Sequence, residues 1–291
     1  MPELPEVETI KNDLQKVILR KKITDILILD KKVSGRDLFV PKIILKGNFF
    51  SRIDRIGKLL IFEIAGGKKF FLVHLKMTGQ LIFSGRSKTV IGGHEADGKR
   101  KEIFGEELPN KHTRLVICFS SGEKLFFNDL RKFGYAKIVD KNELQKIKEK
   151  YGIEPLTKDF TFAAFSKALQ GRKAFVKAVL LNQGIIAGIG NIYADEALFE
   201  AKIRPERRAL SLSESERKAL FQAISKIMKR AIKERGTTFS DYVDASGRKG
   251  GFTRLLKVYG REGKKCYRCQ GVVKKVKVAG RGTRICEKCQ K

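Results

Sequence analysis

Two hydrophobic periods divide the chain. Val7, Ile10, Leu14, Val17 and Ile18 recur at the spacing of one helical face, so a helix is predicted just after the opening PELPE. From residue 23 the period changes. ITDILILD, SRIDRIGKLLIFEIA, KKFFLVHLKM, TRLVICFS and EKLFFND are short, β-branched or aromatic, and separated by Gly, Asn or Asp. Many short strands without intervening helices predict a sandwich or barrel, not a doubly wound sheet. Residues 84–110 interrupt the strands with a polar, glycine-containing, basic stretch, predicted as a long surface loop.

From residue 141 the helical period returns, first in KNELQKIKEKYG. A linker around EPLTKD follows, then helical patterns in FTFAAFSKALQGRKAFVKAVLLNQ, NIYADEALFEAKI and SESERKALFQAISKIMKRAIKERG. In the last, Leu220, Ile224, Ile227, Met228, Ala231 and Ile232 form a packing stripe, and Ser213 with Glu216 forms a capping box. Residues 240–262 are again rich in glycine and basic residues.

Composition narrows the partners. The 291 residues suffice for a sizeable core and are 42% hydrophobic, which is ordinary for a globular protein. Sixty-two Lys and Arg against thirty-two Asp and Glu leave a formal +30, a field that draws polyanions. Nucleic acid is the expected partner; a lysine-biased proteome, an anionic membrane surface or ribosome association are the alternatives. No run of about 20 apolar residues predicts a membrane span. The acidic start lacks the basic and apolar regions of a signal peptide, so the expected compartment is the reducing cytoplasm. Of five cysteines, Cys118 stands alone in an apolar run and is expected to be a buried structural thiol.

The other four cysteines make two knuckles, Cys266-x-x-Cys269 and Cys286-x-x-Cys289. That spacing predicts a closed tetrahedral site for one structural zinc, against the alternative of disulfides. Between them, VVKKVKVAGRGTRI reads as two strands joined by Gly280-Arg281-Gly282, a turn that would raise Arg281 off a rigid ribbon toward a phosphate or an active site. A second glycine turn, Gln183 to Asn191, joins two helical segments. Exposed amides at the next helix start suit a phosphate, with Asn191 expected as N-cap and Arg172, Lys173 and Lys177 alongside.

MPELPEVET at the start, HLKMTG at 74–79, NDLRKFG at 128–134, GIGNIYADE at 188–196 and the cysteine ribbon occur in one order. Together they resemble formamidopyrimidine-DNA glycosylase, the bacterial family that excises 8-oxoguanine and ring-opened purines, and the resemblance runs essentially end to end. It implies an α+β multidomain fold. An N-terminal helix and antiparallel β-sandwich are followed by a helix–two-turn–helix domain and a C-terminal zinc ribbon. The expected divisions are 1–140 for the catalytic β-sandwich, 141–158 for a linker and 159–240 for the helix–two-turn–helix domain. Residues 241–262 form a lesion-capping and connecting segment, and 263–291 the ribbon.

The same resemblance implies roles. Pro2, exposed once Met1 is removed, attacks the deoxyribose C1′ as a secondary amine. The amine's ordinary pKa is about 7.7–8.0, and nearby cations with a helix N-terminus lower it. Glu3 acts as general acid and base, with Glu6 supporting; Glu6 and Glu8 equally suit a helix dipole. Lys58 orients phosphate and assists β-elimination, and Arg281 serves δ-elimination. Met77, Arg131 and Phe133 fill the gap left by the flipped base. His74, His112, Lys132, Arg172, Lys173, Lys177, Asn191 and Tyr193 contact DNA, and His94 receives no role. The segment 237–252 closes over the extruded base. Lys132 departs from the second arginine of many relatives, turning a bidentate contact into a point charge. The implied partner is double-stranded DNA bearing oxidised purines, met by a monomer. Oxidised pyrimidines as substrates, or a silent DNA-binding protein on this scaffold, are the competing readings.

Overall fold

Helix α1 spans Leu4–Ile18, and its Val7, Ile10, Leu14 and Ile18 are buried along one face as their spacing requires. Glu3 is the N-cap in extended conformation, and Pro5 occupies the first turn, where its missing N–H costs nothing. The helix-opening proline is therefore Pro5, and Pro2 stands outside the helix. A computed structural model describes residues 2–30, 42–85, 89–94, 108–237, 242–243 and 250–291. The chain divides into two compact units, Met1–Lys148 with Glu234–Gly251, and Glu149–Lys233 with Phe252–Lys291.

In the first unit the strands are β1 (Ile23–Ile28), β2 (Phe50–Ile56), β3 (Leu59–Ile64), β4 (Lys69–His74), β5 (Gly79–Ser84), β6 (Thr89–His94), β7 (Thr113–Phe119), β8 (Lys124–Asp129), β9 (Tyr135–Asp140) and β10 (Tyr242–Val243), with a short helix α2 (Lys42–Leu45) and helix α3 (Lys141–Lys148). They form two antiparallel sheets, ordered β1-β7-β8-β5-β6-β10 and β2-β3-β4-β9. One core joins them. Leu81, Phe83, Leu115, Ile117, Leu125 and Phe127 of the larger sheet meet Phe50, Phe62, Phe71 and Val73 of the smaller, with the apolar face of α1. This is the expected sandwich. Ile82, Val116 and Phe126 make a second cluster on the opposite face of the larger sheet, and Cys118 packs against it half-buried; burial pushes its thiol pKa up.

The expected loop 84–110 is not all loop. Thr89–His94 pairs with β5, and Tyr242–Val243 then extends the same sheet on β6. Backbone pairing makes this strand despite its two glycines, which is why side-chain alternation did not reveal it. The rest of that stretch, residues 86–88 and 95–107, and residues 238–241 and 244–249 of the expected capping segment lie outside the described residues. Residues 141–148, helical in period but placed in the expected linker division, form α3 within the first unit.

The second unit holds α4 (Phe162–Leu169), α5 (Val176–Leu181), α6 (Asn191–Glu200), α7 (Glu214–Lys233) and the ribbon strands β11 (Lys274–Val278) and β12 (Arg281–Ile285). The long pattern from 160 to 183 breaks into α4 and α5 because Gly171 turns left-handed, at φ 70°. The α7 capping box is present: Ser213 N donates to Glu216 Oε2 at 2.8 Å and Glu216 N donates to Ser213 Oγ at 3.2 Å. Helix α6 is buried almost all round, acids included. Glu196 accepts from the backbone N–H groups of Lys257, Val258 and Tyr259, which fixes the chain entering the ribbon, although burial pushes its pKa up.

Candidate active site and nucleic-acid interface

The first turn of α1 is built around carboxylates. Glu3 caps the helix through a capping box: its N–H donates to Glu6 Oε2 at 2.8 Å, while its own side chain accepts from the Glu6 N–H. Glu6 Oε1 accepts from Thr237 N at 2.8 Å. Both Glu6 oxygens are thus bonded, and Glu3 and Glu6 are 3% and 2% exposed. A Cβ at Gly236 would stand 2.8 Å from Glu6 Oε1, so only glycine lets that backbone approach. Glu6 is a support that sets the Glu3 backbone. The structure ties residue 237 to it, a link no local sequence signal carries.

The hairpin that carries Lys58 is tied to α1 by one arginine. Gly57 and Lys58 make the two-residue connection of the β2–β3 hairpin, with Gly57 at φ 54°, where a glycine is needed at the first central position. Arg55 donates to the Gly57 carbonyl at 2.8 Å and to Glu8 Oε2 at 2.9 Å, joining the hairpin to α1. Burial works against the Glu8 carboxylate, yet its hydrogen bond from Lys11 and the charges of Arg55 and Lys11 together hold it below its usual range. Lys58 itself is 6% exposed, buried as a surface lysine would not be.

His74 closes β4 opposite Leu59, the neighbour of Lys58. Burial, then the charges of Lys76 and Lys58, hold its pKa down at about 3. Its Nδ1 accepts from Lys76 N at 3.0 Å, so the neutral ring presents Nε2–H as a donor. Met77 and Phe133 are large apolar side chains left 40% and 53% exposed, and the Arg131 guanidinium lies 4.8 Å from the Phe133 ring centroid. They sit on two neighbouring loops at one end of the larger sheet, where β5 pairs with β8. Lys132 is also exposed there, left-handed at φ 58°, with Nζ 3.1 Å from Asp30. His112 is half-buried, its N–H on Asn110 Oδ1 at 2.9 Å.

In the second unit Arg172 and Lys173 are exposed, as expected of phosphate contacts. Lys177 is not. It is fully buried, with Nζ 2.6 Å from Asp195 Oδ1 and donating to Thr283 Oγ1 at 2.7 Å. Helical spacing could not show this, because Asp195 and Thr283 come from elements distant in sequence. Burial pushes the Asp195 carboxyl up to about 7, against the pull of Lys177. Tyr193, likewise expected at DNA, is 1% exposed and packs on Phe252. Asn191 is the first residue of α6, not its cap; Gly190 is the cap, and Asn191 Nδ2 donates to the Gly282 carbonyl at 3.0 Å.

The ribbon turn lies one residue earlier than expected. Val278 pairs with Arg281, so Ala279 and Gly280, at φ 49° and 74°, make the connection. Arg281 is the first residue of β12 and exposed. Its carbonyl accepts from Thr283 Oγ1 at 3.0 Å, and Arg284 N donates to Asp195 Oδ2 at 2.9 Å. The buried Lys177–Asp195 pair thereby anchors the strand that carries Arg281. At the ribbon's other end the four cysteine sulfurs all lie within 4.8 Å of one another, with Cys266–Cys289 at 3.8 Å and Cys269–Cys286 at 3.4 Å. Thiolates about 2.3 Å from one tetrahedral zinc are separated by such distances. Cys266, Cys269, Cys286 and Cys289 fit one structural zinc, which leaves no open position for substrate.

The chain is similar to known proteins along its whole length. The formamidopyrimidine-DNA glycosylase N-terminal domain matches residues 1–136, the H2TH domain of the same glycosylase residues 151–243, and a zinc finger found in FPG and IleRS residues 263–291. Relatives named formamidopyrimidine-DNA glycosylase include those of Carboxydothermus hydrogenoformans, 42% identical over 295 residues, and Desulfitobacterium hafniense, 40% over 293, each covering all of both chains. Similar solved structures include the wild-type Lactococcus lactis Fpg with DNA containing N7-benzyl-Fapy-dG, at 35% identity and TM-score 0.83 over all of both chains. Another is the same protein with DNA containing an abasic site, at 35% identity and TM-score 0.82 over 99% of both.

Proposed function

The chain belongs to the formamidopyrimidine-DNA glycosylase family, a base excision repair DNA glycosylase, and from that premise we propose the bond-by-bond course of its reaction. The substrate is duplex DNA carrying 8-oxoguanine or a formamidopyrimidine. Removal of Met1 leaves Pro2 as a secondary amine at the head of α1. The amine attacks C1′ of the extruded nucleotide, and the damaged base leaves with its bonding electrons and a proton. Glu3 protonates the ring oxygen, the sugar opens, and an iminium joins Pro2 to C1′. A proline nitrogen in that bond has no proton to lose, so its charge is fixed. Glu3, ionised by that transfer, takes a C2′ proton; the C–H electron pair moves toward the iminium and the 3′ phosphate leaves, and loss of a C4′ proton then expels the 5′ phosphate in a second elimination.

The observation that supports this reading best is the division of labour at the helix start. Pro5 and the Glu3–Glu6 capping box begin α1, so Pro2 is not needed for helix initiation. Lys58 stabilises the phosphate leaving first, and Arg281 the second; as fixed cations they act where negative charge develops. Met77, Arg131 and Phe133 fill the vacated stack, with Arg131 bonding the widowed cytosine. His74, neutral with Nε2–H left as a donor, donates to a backbone phosphate, joined by His112, Lys132, Arg172, Lys173 and the N–H groups at the start of α6. Lys177 and Tyr193 act from beneath the surface. The zinc holds the ribbon and takes no part in the reaction. The protein acts as a monomer on the bacterial chromosome.

The test is paired excision on duplexes carrying 8-oxoguanine, a formamidopyrimidine or an oxidised pyrimidine, with the cleaved ends identified. Preferred release of the oxidised purines, leaving phosphate at both ends of a one-nucleotide gap, is expected. Preferred release of the pyrimidine, or binding without any release, overturns the reading.

A further inference from the structure

The three side chains assigned to the vacated stack come from separate stretches of chain, Met77 from the turn between β4 and β5, Arg131 and Phe133 from the loop between β8 and β9. One buried carboxylate stands between those loops. Asp129 ends β8 opposite Gly79, the first residue of β5, and is 1% exposed. Its Oδ1 accepts from the Thr78 hydroxyl and from Arg131 N at 3.2 Å, and its Oδ2 accepts from Gly134 N at 2.6 Å. Thr78 Oγ1 accepts in turn from Arg131 N at 3.0 Å. Every donor to the carboxylate therefore sits beside a side chain of the wedge.

The backbone of Asp129 is fixed as firmly. Its N–H donates to the His112 carbonyl at 2.9 Å, and its carbonyl accepts two bonds from the Arg114 guanidinium, at 3.0 and 2.9 Å. Arg114 is held from behind by Asp30 at 3.0 Å. The first turn is tight on itself, since a Cβ on Gly79 would lie 2.4 Å from the Leu75 carbonyl oxygen, and the second runs close beside it: a Cβ on Gly134 would lie 3.1 Å from the carbonyl oxygen of His74, where β4 enters that turn. A carboxylate this deeply buried is stable only while its donors stay in place. Movement of either loop alone breaks bonds to the other.

We propose that Asp129, through Thr78, is a positioning residue that locks the two loops together, so that Met77, Arg131 and Phe133 enter the duplex as one rigid wedge. The inference rests on the wedge reading of those three residues. It predicts that the lock is needed for emptying the stack more than for processing a site where no base remains to be unstacked.

The experiment compares Asp129→Asn, Thr78→Val, Thr78→Ser and Phe133→Ala in the full chain with zinc bound. Single-turnover excision is measured on 8-oxoguanine opposite cytosine, strand incision on a ready-made abasic site opposite cytosine, and unstacking by 2-aminopurine fluorescence beside the lesion. Asp129→Asn and Thr78→Val are expected to lower excision relative to abasic incision by about ten- to a hundredfold, the cost of slight misplacement, and to slow the fluorescence change in parallel. Thr78→Ser, which keeps the hydroxyl, restores both. Adding Phe133→Ala to Asp129→Asn should cost little more, since both act through one wedge. A purely structural role for Asp129 would lower both activities by the same factor, and that result overturns the proposal. So does normal unstacking in Asp129→Asn and Thr78→Val when Phe133→Ala slows it. If Phe133→Ala itself leaves unstacking unchanged, the wedge reading fails and the proposal with it.

Discussion

Replacing Lys177 by methionine keeps the apolar stem and removes only the ammonium. In the native unit that ammonium lies 2.6 Å from Asp195 Oδ1 and donates to Thr283 Oγ1, with no exposed surface. The variant leaves a carboxylate buried without its counter-ion, at a cost of about 3–5 kcal/mol for the second unit. Converting the orphaned partner as well, in Lys177→Met with Asp195→Asn, should recover most of that loss. Urea unfolding gives the free energies, and hydrogen exchange at the Thr283 and Arg284 amides shows whether the ribbon strand loosens. DNA affinity against salt separates this strut from a phosphate contact. Loss of a contact lowers the slope of log K against log salt by about 0.9, whereas loss of a strut leaves the slope alone. A Lys177→Met protein of undiminished stability with a reduced salt slope would refute the buried-strut reasoning.

Removing the zinc should unfold the ribbon and weaken DNA binding, followed by far-ultraviolet circular dichroism and titration after verified metal loss; unchanged binding contradicts a structural metal. His74 is held at about 3 in the folded state against an ordinary 6.5. The unfolded chain therefore binds more protons between those values, and stability falls as pH drops from 6.5 toward 3. His74→Gln should flatten that part of the stability–pH curve, and identical slopes would contradict the assignment. Ser213→Ala removes the Oγ acceptor of the α7 capping box and should cost about 1 kcal/mol in urea unfolding; no measurable loss would contradict the cap.

Features set by short-range pattern were legible in the sequence. The apolar face of α1, the strands of the sandwich, the Ser213–Glu216 box and the four-cysteine site all depend on residues a few positions apart, and each stands in the structure. What escaped depends on partners distant in sequence. Strand β6 follows from pairing with β5 and not from its own glycine-rich pattern. The burial of Lys177 depends on Asp195 and Thr283, and a lysine among lysines gives no sign of them. The ribbon turn was misplaced by one residue because Gly280 and Gly282 both suit a turn, and only strand register chooses Ala279–Gly280. Asp129 carried no isolated signal, since its donors come from two loops.

The nucleophile itself is the claim most directly open to measurement. Borohydride reduction during reaction with a duplex carrying 8-oxoguanine opposite cytosine traps an amine–sugar intermediate as a stable adduct, and peptide mass mapping locates the bond. Pro2 acting from the head of α1 predicts a DNA-linked peptide joined through the Pro2 nitrogen, with the adduct lost in Pro2→Gly combined with Glu3→Gln. A bond mapped to a lysine, or an adduct that survives those substitutions undiminished, would contradict it.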